Sequence, residues 1–181
     1  QIRKLQSSLP EHVQLVAVSK TKPVSMIMQA YHAGQRVFGE NKVQELQAKY
    51  PEMPKDIEWH MIGHLQTNKV KYIAPWIHMI HAVDRMKLLR EINKEAAKAE
   101  RTIDCLLQFH IAEEDTKFGL DIQEATELLD SDEFQNFENV RICGVMGMAT
   151  FTENQDQVRR EFQHLKTIFD QLKTRYFANI E

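Results

Sequence analysis

The sequence predicts an α/β fold in which parallel strands alternate with helices. Apolar runs of strand length recur about six times, and each is followed by apolar residues at helical spacing. Regular alternation of this kind is typical of βα units arranged around a parallel sheet. Because the 181 residues contain no stretch rich in Gly, Ser and Pro, we expect one domain, residues 1–181.

The number of strand–helix units limits the choice of architecture. A (β/α)8 barrel typically needs eight units and ~250 residues, so this chain falls short by about two units. A doubly wound open sheet is the alternative, and its nucleotide-binding version carries a Gly-x-Gly-x-x-Gly loop after the first strand. That loop is absent here, which disfavours the dinucleotide-binding version and leaves both architectures open.

The predicted strands are rich in β-branched and other apolar residues, and turn residues bound them. They are expected at residues 13–19, 37–39, 57–63, 77–83, 103–111 and 140–148. Pro23 is well placed to open the first intervening helix, and Asn41 and Asp84 are placed to cap later ones. A further helix is expected around residues 66–73. The last helix has the clearest apolar stripe, formed by Val158, Phe162, Leu165, Ile168, Phe169 and Leu172.

The composition indicates a globular protein and excludes several classes of partner. Hydrophobic residues make up 43% of the chain and charged residues 27%. The net charge is −3, and the 23 basic and 26 acidic residues are mixed, which argues against a nucleic-acid or acidic-membrane binder. No apolar run is long enough to span a bilayer, and no secretory leader begins at Gln1. We therefore expect a cytoplasmic protein, with Cys105 and Cys143 as reduced thiols in the core.

A lysine at the end of the first predicted strand is the leading candidate for chemistry. The apolar run 15–18 is followed by Ser19 and Lys20, and such a run indicates a strand buried on both faces. Lys20 is therefore expected at the mouth of the sheet, where a desolvated amine can lose its proton and form a Schiff base with a carbonyl compound. Lys22 is the competing amine, but it precedes Pro23 and is expected in an extended, better-solvated loop.

Polar residues follow most of the predicted strands, and ligands bind at the carboxyl ends of the strands in either architecture. These residues are Lys20, Asn41, His60, Gly63, His64, Asp84, Lys117 and Thr150. His60 and His64 have the i, i+4 spacing of a zinc-binding helix, but here the spacing crosses a strand end and no Glu follows His60. We therefore expect no metal site, and we assign His78 and His81 to packing or capping.

Several short motifs occur in order from the first to the sixth predicted strand. They are AVSKTKP at 17–23, FGEN at 38–41, WHMIGHLQTNK at 59–69, VD at 83–84, KFG at 117–119 and GVMGM at 144–148. Together they closely resemble the pyridoxal phosphate homeostasis proteins, which are single-domain relatives of the alanine racemase barrel. The match covers nearly the whole chain, and the ordered set is far more specific than any single motif.

The resemblance implies a (β/α)8 TIM-type barrel of the alanine racemase N-terminal-domain type, with pyridoxal 5′-phosphate (PLP) held as a Schiff base on Lys20. The other positions that it implies for the cofactor pocket are Asn41, His60, Ile62, Gly63 and Met148. The family is regarded as non-enzymatic and acts in vitamin B6 and amino-acid homeostasis, so no catalytic residue is expected. PLP-dependent apoenzymes are the implied recipients of the cofactor, and we expect a monomer without nucleic-acid or membrane partners.

The chain departs from the family at its carboxyl end. Family members continue with strands that supply phosphate-binding backbone and an arginine facing the pyridine nitrogen. Barrel phosphate sites frequently use the loops after strands seven and eight. We therefore expect the barrel in this chain to lack its last strands and the phosphate-binding segment.

Two other functions compete with cofactor binding. A PLP-dependent amino-acid racemase is the main alternative, but the racemase relatives carry a second, β-rich domain that provides a catalytic tyrosine. The tyrosines of this chain, at positions 31, 50, 72 and 176, all lie in or near predicted helices. A barrel enzyme acting on phosphorylated metabolites is the third possibility, and it would not need a Schiff-base lysine. The binding function is therefore favoured.

Overall fold

The computed structural model describes residues 2–113 and 118–178, and its described strands form one parallel sheet. The order of the six strands in the sheet is the same as their order in the chain. They are β1 Ala17–Val18, β2 Val37–Glu40, β3 Glu58–Met61, β4 Met79–Val83, β5 Ile103–Phe109 and β6 Val140–Gly147. A doubly wound sheet would reverse its strand order at a switch point. The sequential order is therefore that of a barrel.

Helices follow the strands in alternation, as the sequence predicts. They are α1 Ile2–Ser8, α2 Val24–His32, α3 Val43–Lys49, α4 Met86–Lys98, α5 Ile122–Asp130, α6 Asp132–Gln135 and α7 Gln155–Tyr176. Two short 3-10 helices occupy Tyr50–Glu52 and Thr67–Tyr72, and the second is the helix that the sequence predicts around residues 66–73. Among the described residues, no helix combines the length and apolar character that a bilayer span requires.

The hydrophobic core joins the strands to the helices that cover one face of the sheet. Helix α4 shows the pattern clearly, because its apolar positions recur at helical spacing while Lys87, Lys94 and Lys98 are exposed. The core residues that β2 to β5 and α4 contribute are almost fully buried and include Phe38, Trp59, Ile80, Cys105, Leu107, Leu88, Leu89 and Ile92. Burial of this stripe holds α4 against the sheet.

The pairing register places residues of neighbouring strands at the same height in the sheet. One such level contains Val18, Gly39, His60, Met79, Asp104 and Arg141. Asp104 and Arg141 form a two-pronged ion pair, with Nε to Oδ1 at 2.7 Å and Nη2 to Oδ2 at 2.8 Å. Lys20 follows β1 and lies beyond this level, towards the carboxyl ends of the strands.

Three local predictions are wrong. Asn41 and Asp84 do not occupy helix N-caps, because α3 and α4 start one residue later, after Lys42 and Arg85 in extended conformations. The Asp84 carboxylate is instead paired with the guanidinium of Arg85. Cys143 is exposed, whereas Cys105 is buried as expected, because β6 has a neighbouring strand on one side only in the described sheet.

Candidate functional site

Lys20 lies just beyond the carboxyl end of β1, as the sequence predicts. It is exposed, however, whereas a desolvated amine is expected, and β1 is not buried on both faces because Val18 is 54% exposed. The preceding residue, Ser19, is buried, and its amide donates to the carbonyl of Gly39 at 3.0 Å. The amide of Lys22 donates back to the Ser19 carbonyl at 3.1 Å, which closes a tight turn around Lys20. Thr21 in this turn has a φ of 63°, a left-handed conformation that is uncommon for a β-branched residue.

A buried ionic cluster underlies this turn. The Lys49 ammonium lies 2.6 Å from Glu40 Oε1 and donates to the Ser19 carbonyl at 2.9 Å. Ser19 Oγ donates to the same Glu40 oxygen at 2.6 Å. The side chain of Glu40 is fully buried and that of Lys49 is 9% exposed. Buried charges are retained only when they are paired and hydrogen-bonded, as these are.

Glu45 extends the cluster to the residue after Lys20. One of its carboxylate oxygens accepts from the Thr21 amide at 2.7 Å and lies 3.0 Å from the Lys49 ammonium. The hydrogen bond from the Thr21 backbone, and then that from Lys49, lower the pKa of the Glu45 carboxyl. The backbone on both sides of Lys20 is thus held by side chains of α3.

Sequence reasoning missed Glu40, Glu45 and Lys49, although two of them carried a signal. Glu40 ends the otherwise apolar run of β2, where a charge should not be buried without a partner. Lys49 follows Leu46 by three residues and lies on the same buried stripe of α3 as Val43. A carboxylate in one buried segment and an ammonium in the next suggest an internal pair.

The loops after β2 and β3 meet beside this turn and contain three predicted site residues. The Ile62 amide donates to the Glu40 carbonyl at 2.9 Å. The backbones of Asn41 and Gly63 lie so close that a Cβ on Gly63 would stand 2.6 Å from the Asn41 carbonyl oxygen. The Ile62 side chain covers Gly39, where an added Cβ would be 2.8 Å from Ile62 Cδ1. The two glycines therefore allow the loops and side chains to pack closely at this end of the sheet.

His60 is buried in β3 and contacts two other histidines. Its Nδ1 lies 2.8 Å from Nε2 of His81, and its ring stacks on that of His78 with centroids 5.4 Å apart. Burial, and then the proximity of His81 and His78, lower the pKa of His60 to about 3. Burial also lowers the pKa of His81. The His60 imidazole is therefore neutral near pH 7.

The remaining predicted positions are distributed around the carboxyl ends of other strands. Met148 is exposed just after β6, at the far end of the sheet from β1 in strand order. Thr150 is engaged with Glu161, to which its hydroxyl donates at 2.6 Å and its amide at 2.7 Å. His64 Nδ1 lies 3.8 Å from the Asp84 carboxylate. Lys117 lies outside the described residues.

The chemistry of these groups fits an aromatic cofactor that carries an aldehyde. Lys20 offers an exposed primary amine, Ile62 offers a half-buried apolar surface, and Asn41 offers a polar amide, all at the carboxyl ends of adjacent strands. Asn41 also lines a polar cleft together with Lys42, His64, Gln66 and Lys69. Lys22 is placed differently, since it lines a cleft between β1 and α2 with Ile27 and Phe38.

The chain matches one family model and several curated proteins. The family model is described as the alanine racemase N-terminal domain, and it matches residues 1–181. A pyridoxal phosphate homeostasis protein from Aquifex aeolicus is 38% identical over 163 residues, which are 90% of this chain and 71% of the relative. The pyridoxal phosphate homeostasis protein of Escherichia coli K12 is 34% identical over 174 residues, 92% of this chain and 72% of the relative.

Solved structures show the same architecture. PipY of Synechococcus elongatus PCC7942, solved without PLP, has a TM-score of 0.88 and 33% identity, covering 96% of this chain and 80% of PipY. PipY with PLP bound has a TM-score of 0.84 at the same identity, covering 96% of this chain and 82% of PipY. An alanine racemase from Streptomyces lavendulae is 18% identical and has a TM-score of 0.79, and the match covers 96% of this chain and 46% of the racemase chain. At this identity the likeness shows the fold alone. The predicted barrel type is confirmed, and the chain belongs to the pyridoxal phosphate homeostasis protein family, whose barrel is that of the alanine racemase N-terminal domain.

Proposed function

We propose that this chain binds PLP through Lys20 as a Schiff base and serves vitamin B6 and amino-acid homeostasis by holding the cofactor. The observation that carries the proposal is an exposed lysine at a strand end whose flanking backbone is fixed by the buried Ser19, Glu40 and Lys49 cluster. The names of the relatives and the PLP-bound structure of PipY support this choice of cofactor.

The cofactor supplies an aldehyde, which condenses with a primary amine to form a C=N bond with loss of water. The residues of this chain provide the amine and its orientation. Because Thr21 and Ser19 are both held by side chains of α3, the Lys20 backbone has little freedom to move. Pre-organisation of this kind lowers the conformational entropy that binding would otherwise cost.

Five further residues are proposed as the surroundings of the bound cofactor. Ile62 offers apolar surface and Asn41 a polar amide, while Gly63 allows their two loops to approach. His60 lies about one side-chain layer below them and forms the floor. Met148 is proposed as a contact from the β6 side because it is exposed at the carboxyl end of that strand.

Lys20 is preferred to Lys22 on the basis of position. Lys22 lines a cleft on the helix-covered face of the sheet, beside Ile27 and Phe38. Lys20 follows the strand end directly, on the rim where barrels bind their ligands. Lys22 therefore serves as a matched control, since it is an exposed amine only two residues away.

The binding function is proposed without a catalytic reaction. A racemase needs a second acid–base group beside the lysine, and a tyrosine is the expected one. Tyr31 belongs to α2 and donates to Asp56 at 2.8 Å, and Tyr50 stacks on Trp76. Tyr72 and Tyr176 lie in a 3-10 helix and in α7. The described tyrosines thus lie in helical segments. We also propose that the chain is a monomer that supplies PLP-dependent apoenzymes in the cytoplasm.

The proposal is tested by trapping the attachment site. The protein is incubated with PLP and reduced with borohydride, and its intact mass and modified peptide are determined. We expect one label, on Lys20, that is lost in Lys20→Ala and kept in Lys22→Ala. A label on Lys22 with Lys20 unmodified would overturn the assignment. Steady racemisation of L-alanine above the rate of free PLP would overturn the non-enzymatic function.

A further inference from the structure

Three side chains form a compact cluster that extends from the middle of β3 to the amino ends of β3 and β4, which are the ends opposite the cofactor rim. Glu58 is the first residue of β3, His60 is the third, and His78 immediately precedes β4. Each offers one ligand atom, and these atoms all lie within 4.8 Å of one another. His78 Nε2 lies 3.7 Å from Glu58 Oε2. Lys20, by contrast, follows the carboxyl end of β1.

His60 has a ring nitrogen that no protein group satisfies. The residue is 2% exposed, and its buried Nε2 has no hydrogen-bond partner. Its Nδ1 is engaged by His81 at 2.8 Å. An unpaired polar atom in a buried position costs free energy, so it requires an explanation.

The contact with His81 is of the kind that prepares a histidine to bind a metal. A ligating imidazole usually donates its other N–H to an acceptor, which fixes the tautomer and leaves a lone pair for the ion. If Nδ1 of His60 donates to His81, Nε2 of His60 carries no proton. The neutral imidazole is the form that binds a metal.

The donor types and their spacing are suitable for a zinc-class ion. Zinc binds imidazole nitrogen at about 2.0–2.1 Å and carboxylate oxygen at about 2.0–2.2 Å, usually in a tetrahedron. In such a tetrahedron two ligand atoms stand about 3.3–3.5 Å apart, close to the 3.7 Å between His78 and Glu58. The side chains of Glu58 and His78 are 42% and 45% exposed, so they can adjust to an ion and give it a path from solvent.

We propose that Glu58, His60 and His78 bind a divalent transition metal ion of the zinc class, with water completing its coordination. This site differs from the His60 and His64 pair, because Glu58 lies on the same strand as His60 and His78 comes from the start of the neighbouring strand. It also gives His78 a role other than packing. We assign no reaction to it, because the amino ends of barrel strands serve stability and not catalysis.

The metal joins β3 to β4 at the ends opposite the cofactor rim. An ion that binds the folded chain and not the unfolded chain stabilises the fold by a free energy that rises with the logarithm of the ion concentration once this exceeds the dissociation constant. The site shares His60 with the proposed cofactor surroundings, but neither Glu58 nor His78 belongs to them, and Lys20 is not a ligand of the metal. Zinc binding is accordingly expected to be the same in Lys20→Ala as in the wild type.

The test is a titration of metal-free protein with zinc alone, in competition with a chromophoric chelator. We expect one equivalent to bind to the wild type. Glu58→Gln and His78→Gln should each weaken binding by at least about tenfold, since even loss of an outer-shell partner costs this much. His164→Gln, which removes an exposed histidine of α7, is the matched control and should bind as the wild type does.

Absence of a bound equivalent, or equal affinity in the wild type and in both ligand variants, would overturn the proposal. A second measurement does not depend on the folding of any variant. Histidine 15N resonances of the wild type are recorded with and without zinc. Shifts of the His60 and His78 ring nitrogens support the site, whereas shifts confined to other histidines would exclude it.

Discussion

The ammonium of Lys49 donates a hydrogen bond of 2.9 Å to the backbone carbonyl of Ser19, the residue before the proposed cofactor lysine. Lys49 ends helix α3, and Ser19 follows β1, so the bond joins two elements that are far apart in the sequence. The same ammonium pairs with Glu40 at the end of β2. The proposed site is therefore held by a buried charge that contacts no predicted site residue.

Lys49→Met is expected to destabilise the protein by about 3–5 kcal/mol, because it leaves the carboxylate of Glu40 buried without its partner. The free energy of unfolding from urea titration measures this loss. The double variant Glu40→Gln, Lys49→Met removes both charges and should be more stable than the sum of the two single effects predicts. Strictly additive effects would show that the two side chains are not coupled.

Gly63→Ala is expected to destabilise the protein by about 1–3 kcal/mol, because overpacking forces the backbone to move. The new Cβ would stand 2.6 Å from the Asn41 carbonyl oxygen, and backbone cannot yield as a flexible side chain does. Gly144→Ala is the control, since its Cβ would meet only Leu106 Cδ2 at 3.5 Å. The two variants are compared by thermal and urea unfolding, and equal stability would contradict the close approach of the two loops.

The buried His60 should make stability depend on pH below neutrality. Its pKa is about 3 in the folded protein and near 6.5 in the unfolded chain, which therefore binds more protons between these values. Stability contributed by the neutral ring is complete above pH 6.5 and is lost as the pH falls towards 3. The slope from one group approaches about 1.4 kcal/mol per pH unit.

The measurement compares urea unfolding of the wild type and of His60→Leu between pH 7 and pH 4, in the presence of a chelator. The unfolding free energy of the variant should depend less steeply on pH, because the contribution of one titrating group is removed, while the contribution of His81 remains. Identical slopes in the two proteins would show that His60 is not held neutral.

Glu161 should contribute stability through its charged form, whereas His60 does so through its neutral form, and the Glu161 effect should occur over a lower pH range. Burial raises the pKa of this carboxyl, but hydrogen bonds from the hydroxyl and amide of Thr150 and from the Glu113 amide outweigh it and lower the pKa to about 2. The contribution is therefore present above pH 4.5 and lost as the pH falls towards 2. Glu161→Gln should flatten the pH dependence in this window, and Glu127→Gln, an exposed residue of α5, should not.

The arrangement of strands and helices could be predicted because each element repeats its apolar residues at its own period. The helix α4 positions Leu89, Ile92 and Ala96 are all buried as their spacing indicates. The position of Lys20 could be predicted for a related reason, since a charge that ends an apolar strand must lie at its rim. The pairing of β1 to β6 in chain order needed the structure, because periodicity does not tell one strand order from another.

Other features depend on contacts that a linear pattern does not contain. The chain runs one residue further than expected before α3 and α4 begin, so Lys42 and Arg85 take the N-cap positions. The cluster of Glu58, His60 and His78 joins β3 to the start of β4. The sequence pattern does not show that these two strands are neighbours in the sheet. Cys143 looked buried because its run is apolar, but exposure depends on how many strands flank it.

The brevity of β1 has a consequence for the order of events in folding. The strand has two residues, so it holds few ladder hydrogen bonds of its own. Apart from the bond between Lys22 and Ser19, the bonds that fix the turn around Lys20 come from residues 20 to 30 positions further along the chain. Loop closure must therefore precede the orientation of the amine. Lys20 therefore becomes a defined site only when α3 has docked.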